Sequence, residues 1–274
     1  MSTHVRQRRV RGGVLAALTI ALGSALPVAQ SASAAAAAPA RGASAPAVAA
    51  PANAAAASKP AGGPGSLVGI WTAPGYKGSM RSPPRDRVYR TADGQWPPLL
   101  PAAAELLEKR IKANENGEPF QNTIMQCLPG GVPEMVFGAP YPAQILETPG
   151  QVTILYEMYN HFRVIHLNGK HPEDPDPGYM GHSVGHWEGD TLVVDTIGLN
   201  DRTTIDEVGI PHSEDLHVIE RYRRTDSTTL EIMLTLDDPK TFSKPWDAKV
   251  IYKAAKPGTD LIEFICENNR NARD

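Results

Sequence analysis

Thr229-Leu230-Glu231-Ile232-Met233-Leu234-Thr235-Leu236 and, ten residues on, Trp246-Asp247-Ala248-Lys249-Val250-Ile251-Tyr252-Lys253 are two alternating stretches. Leu230, Ile232, Leu234 and Leu236 share one face against Glu231, Met233 and Thr235. Trp246, Ala248, Val250 and Tyr252 oppose Asp247, Lys249 and Lys253. Period two marks a strand with one buried face. Working outward, the same pattern predicts strands at 144–148, 151–157, 162–167, 182–188, 191–197, 216–224, 229–236, 246–253 and 260–266. Pro149-Gly150, Asn168-Gly169, Glu188-Gly189-Asp190 and Thr225-Asp226-Ser227 supply the turns. No helix of crossover length separates the strands, which predicts an antiparallel sheet. Serial hairpins form a sandwich or close into a barrel. Closure removes exposed edges and suits the meander order. The expected fold is mainly β: a single antiparallel barrel from about Gln144 to Cys266 with one N-terminal helix.

Upstream, Leu67-Val68-Gly69-Ile70-Trp71 reads as a short opening strand. The helix is expected over Ala102–Lys112 with Pro101 at its first position and Leu106, Leu107 and Ile111 as its apolar stripe. Asn114 and Gly117 stop it. Cys127-Leu128-Pro129-Gly130-Gly131-Val132-Pro133 reads as a rigid irregular loop.

The first 34 residues have the layout of an export signal. Arg6, Arg8, Arg9 and Arg11 form a basic start, Gly12 to Ala29 an apolar run, and Ala32-Ser33-Ala34 a small-residue cleavage site. Gly23, Ser24 and Pro27 interrupt the apolar run, which disfavours a membrane anchor. Arg8-Arg9 leaves a twin-arginine route open beside the general one. Residues 35–65 are nearly all Ala, Pro, Gly and Ser and read as a disordered linker. Residues 66–274 remain for the barrel domain. The formal net charge is −3, so losing the four signal arginines leaves −7. That balance disfavours nucleic acid, and no transmembrane segment is expected once the signal is removed. Cys127 and Cys266 are the only cysteines. Export predicts a disulfide between them, with a pair of buried thiols as the alternative.

Cys127-Leu128-Pro129-Gly130, the run Trp187 to Thr196, Pro211-His212-Ser213, Leu216-His217, Asp238-Pro239 and Pro245-Trp246 resemble the motifs of a family of exported, mostly uncharacterised bacterial proteins. The resemblance covers roughly residues 95–270. It implies a lipocalin-like, calycin-type barrel and brings no agreed catalytic residues.

Seven of the eight histidines lie between His161 and His217. The long polar connection from Asn200 to Glu220 is the expected site, as the mouth of the barrel. His212 and His217 are the candidate proton carriers, with Asp201 or Glu220 orienting them, because an imidazole beside a carboxylate suits acid–base chemistry near neutrality. Tyr156, Arg163, Trp187 and His182 are candidate ligand contacts. An inward Arg163 would need Glu157, Glu220 or an anionic ligand as partner. Gly181-His182-Ser183-Val184-Gly185 matches a nucleophile elbow but lacks the strand–turn–helix setting that strains the serine. His182 and His186 lie ~13 Å apart on a strand and cannot share an ion. No phosphate loop or C-x-x-C pair is present, so no cofactor and no metal are expected. Three functions follow: a cofactor-free hydratase, dehydratase, isomerase or cyclase acting on an apolar or aromatic compound; a non-catalytic binding barrel; or a metal-dependent enzyme using His182, His212 and His217.

Overall fold

A computed structural model describes residues 66–72, 83–118, 120–138 and 141–266. The expected signal and linker lie outside the described residues. Nine strands close into one barrel: β1 Gly69–Thr72, β2 Pro142–Thr148, β3 Gln151–Tyr156, β4 His161–Leu167, β5 His182–Glu188, β6 Thr191–Ile197, β7 His217–Arg224, β8 Thr229–Asp237 and β9 Trp246–Ala254. Among the described residues three α-helices accompany them: α1 Pro84–Arg87, α2 Pro101–Glu115 and α3 Glu134–Gly138.

Two expectations about the barrel are corrected. It closes through β1, which pairs with both β2 and β9; residues 260–266 are not a strand. The opening stretch at Leu67–Trp71 thus does the work assigned to the C-terminal end. The barrel is also mixed, because β4 and β5 run parallel while the other neighbours are antiparallel. Geometry requires this. Directions that alternate around a ring of nine cannot match at closure, so at least one neighbouring pair must be parallel.

The parallel pair has a cost in chain length. Residues 168–181 must travel back along the barrel wall before β5 can start, about 20 Å at ~3.3 Å per residue. Pro172, Pro175 and Pro177 stiffen this strap. It is stitched to the end of β6: Gly178 N donates to Gly198 O at 2.9 Å, and Asn200 N to Gly178 O at 3.0 Å. The strap enters β5 at Gly181, whose φ is +61°. A Cβ there would lie 2.6 Å from the Ile197 carbonyl oxygen, so only glycine fits.

Helix α2 starts with Pro101 at its first turn, as expected, and runs to Glu115. Its buried residues are Ala103, Leu107 and Ile111, spaced i, i+4, i+8. Leu106 is 38 % exposed and does not belong to the stripe. Leu107 and Ile111 join one apolar cluster with Ile205, Val208 and Ile210 of the β6–β7 connection. Asp206 organises that connection. Its carboxylate accepts backbone N–H bonds from Tyr89, Val208, Gly209 and Ile210. Helix α3 is fixed to the barrel through Tyr252, whose hydroxyl donates to Val136 O at 2.7 Å. Cys127 and Cys266 form the expected disulfide, with Cα atoms 5.5 Å apart. It anchors the coil after β9, not a last strand.

Candidate functional site

Strand parity places Arg163 of β4, Ser183 of β5, Thr196 of β6 and Glu220 of β7 on the inner wall, all buried. The guanidinium of Arg163 reaches across two strands to Glu220. Nη1 donates to Glu220 Oε1 at 3.0 Å, and Nη2 donates to Oε2 and to Thr196 Oγ1. Nε donates to Ser183 Oγ at 3.0 Å. The Tyr222 hydroxyl donates to Glu220 Oε1 at 2.7 Å. Burial opposes the charge on Arg163, and the Glu220 carboxylate more than offsets it, holding the guanidinium above its ordinary pKa. Burial pushes Tyr156 up to about 12. Ser183 is an interior strand residue held in this network, with no elbow around it.

One interior cavity among the described residues is small. Beside the network, between Trp71, Ile154, Tyr156, Tyr222 and Tyr252, the centres of water-sized spheres occupy about 10 Å³. That is room for about one water, against the several hundred Å³ of an ordinary ligand pocket.

The outer wall carries a second polar group. Asp195 faces outward from β6, between the buried Val193 and the half-buried Ile197 of the same face. The antiparallel registers set His182 of β5 opposite Ile197, and Val218 of β7 opposite Thr196, so His182 and His217 both lie diagonal to Asp195. His217 Nε2 is 2.8 Å from Asp195 Oδ1. The strap then lays His171 over the group: its Nε2 is 3.1 Å from the same oxygen, and its Nδ1 is 2.9 Å from His182 Nδ1. His166 of β4 stacks on His182, with ring centroids 5.3 Å apart and planes inclined at 16°. Four imidazoles and one carboxylate from four strands and the strap thus form one hydrogen-bonded and stacked patch. Burial, with His171 and His166 as neighbours, lowers the pKa of His182.

The candidates from sequence therefore divide. His217 and His182 meet on the outer wall, while Glu220, Arg163 and Tyr156 are buried inside, so the two sets face opposite sides of the wall. Trp187 is half-buried and packs against the core. His212 is buried in the β6–β7 connection, its Nδ1 2.9 Å from Ser213 O and its Nε2 2.7 Å from Thr203 Oγ1. Burial lowers its pKa. Asp201 is exposed in the same connection. His186 pairs with Glu188 away from the patch.

Sequence reasoning missed Asp195, His171 and His166. Asp195 had a readable signal: it is the one acid in Leu192-Val193-Val194-Asp195-Thr196-Ile197, on the parity opposite the inward Val194. His171 had none, because only the parallel crossover brings the strap over β5 and β6.

Among the described residues, no group of three or more His, Cys, Asp and Glu side chains is placed to hold a metal ion. No described helix is long and apolar enough to cross a membrane. No family model matches the chain, and no curated protein matches it significantly. Fold and site together define a closed, mainly β barrel with a histidine–carboxylate patch on its outer wall.

Proposed function

We propose that this chain is an exported barrel protein that performs cofactor-free acid–base chemistry on a small molecule, of the hydratase, dehydratase, isomerase or cyclase type, at the outer-wall patch. The observation that carries this is the pair of histidines, His171 and His217, sharing the single oxygen Oδ1 of Asp195. A carboxylate behind an imidazole fixes its orientation and supports its charge, which general acid–base transfer requires. The outer location is supported by the interior contacts, since Arg163 and Glu220 are buried and already bonded to each other, and the cavity beside Tyr156 and Tyr222 measures only about 10 Å³. The interior network then serves the fold. Export is supported by the basic, apolar and small-residue layout of the first 34 residues and by the disulfide. The motif resemblance points the same way.

A thermal-shift screen of neutral aromatic and aliphatic metabolites, followed by product analysis, tests the reading. Compounds that bind or turn over with the wild type are expected to lose that behaviour with His182→Ala and His217→Ala proteins that remain folded. Unchanged binding and turnover in both variants would contradict the proposal by placing the site elsewhere, and compounds that bind with no product formed would return the chain to the non-catalytic reading.

A further inference from the structure

We propose that Asp195 fixes the tautomers of a hydrogen-bonded chain, His182–His171–Asp195–His217, so that Nε2 of His182 is an open proton-accepting atom of the site and the complementary ligand brings a hydrogen-bond donor, a hydroxyl or an amine, in preference to an anion. This rests on the acid–base reading above and deepens it.

As a carboxylate, Asp195 has only lone pairs to offer. His171 Nε2 at 3.1 Å and His217 Nε2 at 2.8 Å must therefore both carry their hydrogen toward Oδ1. A neutral His171 protonated at Nε2 is bare at Nδ1, and that atom can only accept. His182 Nδ1, 2.9 Å away, must then donate. This leaves Nε2 of neutral His182 with its lone pair free. By the same logic Nδ1 of His217 is bare. Neither atom meets a protein hydrogen-bonding partner among the described residues. The patch thus presents acceptors, with a negative carboxylate behind them. An anionic ligand would meet lone pairs and like charge, whereas a hydroxyl or amine would meet a base.

The proton transfer balances without a co-reactant. The ligand's O–H or N–H bond breaks, its electron pair stays on the ligand, and the hydrogen bonds to His182 Nε2. The imidazolium charge is shared toward His171 through the Nδ1–Nδ1 contact and is compensated by Asp195. His166, stacked on His182, holds the ring plane. His182 is the group that touches ligand; His171 and Asp195 are positioning residues.

Long-range 1H–15N spectra of the labelled full chain near pH 8 read the tautomers directly. Expected are Nε2–H forms for His171 and His217 and the Nδ1–H form for His182. In Asp195→Asn the carboxamide can donate to His171 Nε2, so His171 should change to Nδ1–H and His182 to Nε2–H. His171→Ala should release His182 alone and leave His217 as it was. An Nε2–H form of His182 in the wild type, or no change in either variant, would overturn the inference. For the ligand class, phenol should shift the His182 ring nitrogens at concentrations where benzoate does not; shifts from both, or from neither, would overturn it. If the tautomers are as stated but His182→Ala keeps full binding and turnover, the acid–base reading itself fails and takes the role of His182 with it.

Discussion

His217 and Glu220 stand three residues apart on β7 and face opposite sides of the barrel wall. His217 bonds outward to Asp195, and Glu220 bonds inward to Arg163. One strand therefore serves two polar groups that share no space. The inner group is buried and hydrogen-bonded within itself. The outer group has imidazole nitrogens left over. Under the proposed function the first group serves structure and the second chemistry, and each role has measurable consequences.

The inner pair should be costly to break and cheap to remove whole. Arg163→Met leaves Glu220 charged and buried, with an expected loss of about 3–5 kcal/mol. Arg163→Met with Glu220→Gln should recover a large part of that loss, because no uncompensated charge remains. Urea unfolding of the three proteins decides it. A single variant within about 1 kcal/mol of wild type would contradict the structural role.

Glu134 should be neutral in the fold. It is fully buried, and burial followed by the nearby Asp206 charge raises its pKa well above the usual carboxylate value. Asn122 Nδ2 donates to its Oε1 at 3.0 Å. Thr204 Oγ1 has one hydrogen and lies closer to Asp206 O, at 2.8 Å, than to Glu134 Oε2, at 3.3 Å. The hydroxyl thus donates to the carbonyl and accepts from a protonated Glu134. A raised acid stabilises the fold fully below its unfolded pKa of about 4.3 and loses that contribution as pH rises through its native value. Glu134→Gln removes this dependence. Its stability relative to wild type should therefore climb with pH from about 4 upward; parallel stability curves would refute a neutral Glu134.

His212 works in the opposite direction. Its pKa is lowered by burial, so its contribution is present above the unfolded value of about 6.5 and is lost as pH falls through the lowered native one. His212→Ala should cost about 1–3 kcal/mol at pH 8 by stranding Thr203 and the Ser213 carbonyl, and less at pH 5. The outer-wall ring nitrogens should not move. A variant that shifts them would tie His212 to the patch after all.

How much of this was legible in the sequence follows from how each feature is encoded. Alternation is local, so the eight strands from β2 to β9 were readable, as was α2 behind Pro101. Ring closure is not local. Nothing in Gly69–Thr72 says that it meets both β2 and β9, and the alternation at 260–266 suggested a strand with no place left to pair. The parallel β4–β5 step was hidden because a Pro-rich strap resembles an ordinary loop. The opposition of His217 and Glu220 follows from parity on one strand. The union of His217 with His171 and Asp195 does not, since it depends on which strands lie side by side and where the strap crosses.

The disulfide holds the chain after β9 against the loop at Cys127, with Phe264 packed 4.6 Å from Tyr141 and 5.4 Å from Tyr159. The bond closes a loop of sequence separation 139, for which chain entropy gives about 5 kcal/mol. Reduction, or a double Cys127→Ala and Cys266→Ala change, should lower stability by about 2–5 kcal/mol while the barrel's β circular dichroism persists. Equal stability with and without reductant would contradict this.

The central claim is that chemistry sits on the outer wall and not inside the barrel. Residue-resolved chemical-shift mapping of bound small molecules on the labelled full chain tests it most directly. The account expects perturbations at His166, His171, His182, Asp195 and His217 and along residues 168–181, with Tyr156, Tyr222 and Tyr252 unmoved. Perturbations centred on those three tyrosines, with the outer histidines silent, would contradict it.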